Sequence, residues 1–164
     1  MKLREFNEAD VGTAGELLHT CAPIASWRAA ILARRPYASQ EELLATAGEL
    51  AAGWTDQEVD GALAHHPRIG EKVQGGSAEA AASRKEQGSL SEDEQAREAW
   101  IQANCAYEEK FDRIFLIRAA GRTPEEMMDQ LRQRLENSPE EEAGIRRGQL
   151  AEIALLRLRE AVRA

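Results

Sequence analysis

Cysteine and aromatic residues are scarce in this chain of 164 residues. It contains two cysteines, Cys21 and Cys105, without C-x-x-C spacing, so a disulfide framework is excluded and reduced thiols are expected. Aromatic residues make up 5% of the chain. No apolar run approaches the ~18 residues that a membrane span needs, so we expect a soluble protein that does not enter a membrane.

Positive charge is also in deficit, since 21 Lys and Arg residues face 29 Asp and Glu residues, a formal net charge of −8. So acidic a surface argues against nucleic-acid binding, which depends on a basic footprint. The polar start of the chain does not resemble a leader, and Glu160–Ala164 carries no Ser-Lys-Leu-type address. We therefore expect a cytoplasmic protein.

Strand patterns are missing, whereas helix starts are frequent. Capping boxes are predicted at Ser39–Glu42, Thr55–Glu58, Ser91–Glu94, Thr123–Glu126 and Ser138–Glu141. Asn7 is a candidate cap for the first helix, and the glycine-rich segment 70–76 is predicted to be a loop. We predict one all-α domain over residues 1–164, a bundle of about eight unequal helices. Their predicted ranges are 8–20, 23–34, 40–52, 56–65, 77–87, 92–120, 124–136 and 139–162.

A proline directly follows a pair of histidines in the segment His65-His66-Pro67. Proline disfavours the α conformation in the residue before it, so we expect a helix to end at His66. Either the two rings cap the last carbonyls of that helix, or the imidazole of His66 does chemistry near neutral pH. Adjacent histidines point apart and no third ligand recurs nearby, so no metal site is expected.

The string Ser-x-x-Glu-Gln occurs twice, beginning at Ser83 and at Ser91. Ser91 follows a glycine-containing turn, and with Glu94 it forms an ordinary capping box at the start of a long helix. Ser83 instead follows three alanines inside a helical segment, where Ser83, Glu86 and Gln87 share one face. That face is either a solvated polar surface or part of a binding site.

Arg157 occurs in an apolar stretch of the last predicted helix. It follows Leu150 by seven residues and Ile153 by four, which predicts a position on the buried seam of that helix. A guanidinium there must reach solvent or find an anionic partner. The partner is either a bound anion or a carboxylate in a structural salt bridge.

Several motifs, in order and over nearly the whole chain, resemble the decarboxylases of 2-oxo-4-hydroxy-4-carboxy-5-ureidoimidazoline (OHCU), an intermediate of urate degradation. The motifs are His66-Pro67-Arg68-Ile69-Gly70, Ser83-x-x-Glu86-Gln87, Asn104-x-x-Tyr107-x-x-Lys110-Phe111 and Ile153-Ala154-x-Leu156-Arg157-Leu158. One departure is Phe111-Asp112-Arg113, where the family usually has Phe-Gly-Phe.

The resemblance implies roles for individual residues. His66 resembles the catalytic histidine, Glu86 the carboxylate that follows it by twenty residues, and Arg157 the arginine of the last helix. The stretch 115–119 resembles a substrate-binding segment that acts through backbone groups, with Arg118 and Arg122 as candidate anion contacts. The positions that resemble substrate-binding residues are Pro67, Ser83, Arg84, Lys85, Gln87, Phe115, Leu116, Ile117, Arg118 and Ala119.

The reaction that the resemblance implies is decarboxylation of OHCU, a small anion, to (S)-allantoin. Loss of carbon dioxide leaves an electron pair that the ring carbonyl and nitrogen can hold, so no cofactor is required. The alternative from another class is a non-catalytic acidic helical module that binds a partner. It explains the net charge but not the order of the motifs.

The resemblance also implies a homodimer, in which apolar helix faces left outside one core are covered by a second copy. Trp27 and Trp54 are the first candidates for the interface, since aromatic residues are enriched at interface cores. Ordinary packing in the core of one chain is the alternative for both.

Overall fold

The computed structural model describes residues 1–64 and 91–164, with side chains from Glu94 onward in the second range. These residues form eight helices and no β-strand, apart from an isolated bridge between Lys2 and Arg163, so the predicted all-α class is confirmed. The predicted helix near 77–87 and the loop at 70–76 lie outside the described residues. The helices are α1 (Leu3–Glu8), α2 (Val11–Cys21), α3 (Ala25–Ala33), α4 (Gln40–Ala51), α5 (Asp56–Leu63), α6 (Ser91–Phe111), α7 (Pro124–Arg134) and α8 (Pro139–Ala161).

The chain forms two compact units. The first unit comprises Met1–Ala64 and Ala143–Ala164, and the second ends at Glu142, with residues 91–142 of it described. In the part of the chain that the structure describes, no helix is long and apolar enough to cross a membrane.

The predicted caps account for four of the eight helix starts in the described part of the chain, and the side chain of a fifth predicted cap, Ser91, lies outside the described residues. At α5 both halves of the capping box form, because Thr55 accepts from the amide of Glu58 and the Glu58 carboxylate accepts from the amide of Thr55. Ser39, Thr123 and Ser138 each accept from the amide three residues later. At Ser39 the second half of the box differs from the prediction, since the carboxylate of Glu42 accepts from the amide of Ala38 instead.

The predicted first helix, 8–20, is wrong in its start. The chain forms two helices, and Asp10 between them caps α2 by accepting from the amide of Thr13 at 2.9 Å. Asn7 is not a cap. Its side chain lies within α1 and pairs with the main chain of Tyr37, donating to the carbonyl and accepting from the amide, each at 2.9 Å.

The predicted helix 92–120 is wrong beyond Phe111. Asp112 adopts the left-handed conformation with φ 53°, which an aspartate tolerates better than most residues and which ends α6. The apolar stripe of α6 through Trp100, Tyr107 and Phe111 therefore stops there. Ile114 and Arg118, which lie inside the predicted range 92–120, belong to a non-helical segment.

In the first unit, α8 buries every fourth residue: Arg146, Leu150, Ala154 and Leu158. Because a four-residue step exceeds one turn, such a row drifts around the helix by ~40° per step. The core of this unit also contains buried side chains of α2, α3 and α4. Its largest fully buried side chains are Phe6, Leu18, Trp27, Ile31, Leu43, Val59, Leu158 and Val162.

Trp27 and Trp54 belong to the core of the first unit, so the prediction that they lie at a dimer interface is wrong. Each is 2% exposed, and their rings pack edge to face with centroids 5.7 Å apart. The indole N–H of Trp27 also donates to the carbonyl of Ala47 at 2.9 Å. Edge-to-face pairs of this kind add stability beyond their buried area.

Candidate active site

Most of the predicted site residues lie outside the described part of the chain. These are His66, Pro67, Ser83, Arg84, Lys85, Glu86 and Gln87. The structure places the remaining ones: the stretch 115–119 in the second unit and Arg157 in the first.

The stretch 115–119 follows the end of α6 and belongs to no helix or strand. Phe115, Leu116 and Ile117 bury their side chains, whereas Arg118 is half-buried and Ala119 is exposed. With its first three side chains committed to the interior, this part of the segment has only main-chain N–H and C=O groups to present to a polar ligand. That agrees with the backbone role that the resemblance implies.

A hydrophobic cluster anchors this stretch. Phe115 and Ile117 belong to it, and the ring of Tyr107 packs edge to face against Phe115 with centroids 5.2 Å apart. The other buried members of the cluster are Trp100, Met127 and Leu131. Side chains from α6 and α7 therefore hold the segment from the apolar side.

A buried arginine holds the same stretch from its polar side. Arg134, at the end of α7, donates from Nη1 to the carbonyl of Leu116 at 2.8 Å. Its guanidinium also lies over the ring of Phe115, 4.4 Å from the centroid, in cation–π geometry. Because the segment belongs to neither a helix nor a strand, these two contacts constrain its backbone directly.

Glu142 in turn fixes Arg134. It is 1% exposed, and Oε1 accepts from Nε of Arg134 and from the hydroxyl of Tyr107, both at 2.6 Å. Asn137 donates to Oε2 at 3.2 Å. Burial and the hydrogen bond to Glu142 raise the pKa of Tyr107, so this phenol stays protonated and remains a donor.

Two arginines close the far end of the stretch. Arg118 donates from Nη1 to the carbonyl of Ala120 at 2.8 Å, and Arg122 donates to the carbonyl of Arg118 at 3.3 Å. Gly121 turns the chain between them with φ 77°, a conformation that glycine adopts without strain. Their role as anion contacts stays a prediction. No group of three or more His, Cys, Asp or Glu side chains that could hold a metal ion occurs in residues 1–64 and 91–164.

Arg157 does not lie on the buried seam of α8, so that prediction is wrong. The buried row passes through Ala154 and Leu158, and Arg157 lies about 100° from Leu158 around the helix. The guanidinium is exposed and makes one long hydrogen bond, 3.5 Å, to the carbonyl of Thr20. It is thus neither a core residue nor half of a buried salt bridge. Burial raises the pKa of the neighbouring Cys21 thiol, and the charge of Arg157 opposes this shift.

The polar group formed by Tyr107, Arg134 and Glu142 was not among the residues predicted from the sequence. The signal was present in α8, where Glu142 stands four residues before Arg146 and eight before Leu150. A carboxylate in register with a buried row must be paired, which points to a buried partner. Arg134 had no comparable signal, because α7 is strongly charged and its partner is eight residues away.

Comparisons with known proteins agree with the fold. The sequence model of the OHCU decarboxylase family matches residues 7–159. A crystal structure of OHCU decarboxylase in the presence of (S)-allantoin is 24% identical with a TM-score of 0.67, and the match covers 87% of this chain and 94% of that one. A crystal structure of (S)-allantoin synthase is 15% identical with a TM-score of 0.71, and 99% of this chain matches 54% of that one. No curated protein sequence gives a significant match.

The family match is continuous and includes residues of both compact units. The chain therefore belongs to the OHCU decarboxylase family.

Proposed function

We propose that this chain decarboxylates OHCU to (S)-allantoin in urate degradation and needs no cofactor. The observation that carries the proposal is the family match over residues 7–159. Since the match extends over nearly the full length, we also propose that residues 1–164 act as one OHCU decarboxylase domain. The structures of an OHCU decarboxylase and an (S)-allantoin synthase support the all-α fold.

The chemistry assigns different tasks to the three residues proposed as catalytic. The bond to the carboxylate carbon breaks, carbon dioxide leaves, and the electron pair moves toward the ring carbonyl and nitrogen. That electron pair is finally used to bind a proton to carbon, so one proton is taken up for each carbon dioxide released. His66 handles the proton near the hydroxyl-bearing carbon, since imidazole titrates near neutral pH. Glu86 accepts hydrogen bonds from ureido or ring N–H groups and fixes the pose of the substrate. Arg157 supplies positive charge to the anion.

The surroundings of Arg157 support this task. Its single hydrogen bond in the described residues is long, at 3.5 Å to the carbonyl of Thr20, and its side chain is exposed. Replacing the hydrogen bond to Thr20 by one to the substrate carboxylate costs little free energy, because charge-assisted pairs of guanidinium and carboxylate are shorter and stronger. An arginine sealed in a buried salt bridge would not be free to do this.

Decay of OHCU tests the proposal directly. Purified protein is added to freshly generated OHCU in buffer containing EDTA and no organic cofactor, and the substrate absorbance is followed against heat-unfolded protein. Faster decay with the native protein, in proportion to its concentration, is the expected result. An unchanged decay rate would reject the decarboxylase and favour the acidic partner-binding module.

The assembly and location of the protein are further proposals. We propose a homodimer in the cytoplasm whose partner is a small anionic ureidoimidazoline, without nucleic-acid or membrane partners; the net charge of −8 supports the last point. Because Trp27 and Trp54 are buried within one chain, other surfaces must form the dimer contact. Light scattering at low micromolar concentration should give about twice the chain mass of 18.1 kDa, and a mass near 18.1 kDa would reject the dimer.

A further inference from the structure

An ion pair buried in the second unit serves one short piece of main chain. Arg134 is 5% exposed and Glu142 is 1% exposed, so both charges are removed from water. Nη1 of Arg134 donates to the carbonyl of Leu116 and Nε donates to Oε1 of Glu142, whereas Nη2 makes an ion-pair contact with the same oxygen and no hydrogen bond within the described residues. The pair therefore links α8 to the segment after α6 through one side chain.

Stability alone is a weak reason for such a pair. Removing two charges from water costs free energy that their attraction offsets only with good geometry, and apolar replacements of similar size are often equally stable. The geometry of this pair instead fixes the orientation of the Arg134 guanidinium. The guanidinium is planar and rigid, and it is held by Glu142 on one side and stacked on Phe115 on the other. A group held in this way keeps the carbonyl of Leu116 at one position.

We propose that Arg134 is a positioning residue for substrate binding, held in place by Glu142 and Tyr107. It sets the main-chain conformation of residues 115–119, so that their backbone groups meet the substrate in one arrangement. This inference rests on the proposed function, because it assigns those backbone groups to the OHCU site. Arg134 does not touch the substrate and acts only through the segment.

A pair of variants separates positioning from stability. Arg134→Met leaves the carboxylate of Glu142 buried without its cation, so the melting temperature should fall strongly. The double variant Arg134→Met/Glu142→Gln removes both charges, while the amide oxygen still accepts from Tyr107. Its melting temperature should recover most of the loss. The hydrogen bond to the carbonyl of Leu116 is absent in both variants.

The expected kinetic result follows from that missing bond. KM for OHCU rises about tenfold in both variants, while kcat stays within about twofold, because the segment binds ground state and transition state alike. Calorimetry with (S)-allantoin should show the same weakening. A KM that recovers together with the melting temperature in the double variant would overturn the inference and leave a purely structural ion pair.

Arg35 provides a matched control in the first unit. It donates from Nη1 to the carbonyls of Phe6 and Ala9 at 2.8 and 2.7 Å, and it lies 5.7 Å from the ring centroid of Phe6. Arg35→Met removes the same kinds of contact from a segment with no proposed binding role. Its melting temperature should fall while KM stays within about twofold of the wild-type value. A KM change equal to that of Arg134→Met would overturn the inference.

Two further outcomes are decided by the same measurements. If Arg134→Met does not fold, Tyr107→Phe takes its place, because this variant loosens Glu142 without removing a charge. A KM raised about threefold in Tyr107→Phe supports the inference, and an unchanged KM overturns it.

Wild-type protein that neither converts OHCU nor binds (S)-allantoin overturns the proposed function together with this inference. Wild-type activity with unchanged KM in the variants overturns the inference alone.

Discussion

The hydroxyl of Tyr107 donates a 2.6 Å hydrogen bond to Oε1 of Glu142, which lies 35 residues further along the chain. Removing the donor and removing the acceptor should lower the free energy of unfolding by unequal amounts. Tyr107→Phe leaves the Glu142 carboxylate paired with Arg134 and Asn137, so we expect a loss of about 1–2 kcal/mol in the free energy of unfolding. Glu142→Ala leaves the Arg134 cation buried and unpaired, so we expect about 3–5 kcal/mol.

Urea unfolding followed by circular dichroism measures both costs on one protein preparation. Equal losses in the two variants would show that Arg134 reaches solvent or another partner when Glu142 is removed. The buried ion pair would then not be what holds the second unit at this point.

The two adjacent histidines give a test of the proposed proton-transfer residue. His66→Asn should lower kcat by about 10²–10⁴-fold with little change in melting temperature, since acid–base groups contribute on that scale. His65→Asn is the matched control and should retain most of the activity. Activity close to wild type in His66→Asn, or an equally inactive His65→Asn, would contradict the assignment of proton transfer to His66.

The repeated Ser-x-x-Glu-Gln string provides a second matched pair. Glu86→Gln should reduce kcat/KM strongly while the melting temperature stays near that of the wild type. Glu94 is exposed in the first turns of α6, so Glu94→Gln should leave catalysis unchanged. Glutamine also fits a capping box, which keeps its stability cost small. Steady-state kinetics with OHCU measure both effects. If Glu94→Gln lost activity and Glu86→Gln did not, the spacing of twenty residues after His66 would not identify the catalytic carboxylate.

Local signals predicted the four helix starts with hydroxyl caps well, but they misplaced the first helix start and the end of α6. Hydroxyl caps such as Thr55 and Thr123 act on amides only three residues away, so a short sequence window contains the whole interaction. The end of α6 depends on Asp112 adopting a left-handed conformation, which the apolar pattern does not encode. Phe115 and Ile117 still pack on the core, but from a non-helical segment.

The residues of the candidate site also differ in how well the sequence predicts them. The family resemblance assigned the stretch 115–119 to the site, and the burial of its first three side chains agrees with a backbone role, which stays a prediction. The exposed position of Arg157 was not predictable from spacing to Leu150, because the buried row of α8 advances by four residues and drifts away from it. Glu142 and Arg134 come from two helices, and their pairing depends on tertiary structure that no local pattern contains.

Two carboxylates of the first unit should make its stability depend on pH. The hydroxyl of Thr13 lowers the pKa of Asp10, and the hydroxyl of Ser26, with the amide of Thr55, lowers the pKa of Glu58. A group whose pKa is lower in the folded state stabilises that state above its unfolded pKa, and this contribution disappears as pH falls through the folded pKa.

The melting temperature should therefore fall as the pH is lowered from about 5 to 3, where unfolded carboxyl groups begin to take up protons. The fall should be smaller in Asp10→Asn/Glu58→Gln, because neither replacement titrates. Thermal melts at each pH compare the two proteins. Parallel curves for wild type and variant would show that other carboxylates control the acid transition.

The configuration of the product tests the central claim most directly. Purified protein converts freshly generated OHCU under EDTA while circular dichroism follows the allantoin formed, with His66→Asn as the control. The account predicts accelerated formation of optically active (S)-allantoin by the wild type and little or none by the variant. Racemic allantoin formed at the uncatalysed rate in both samples would contradict it.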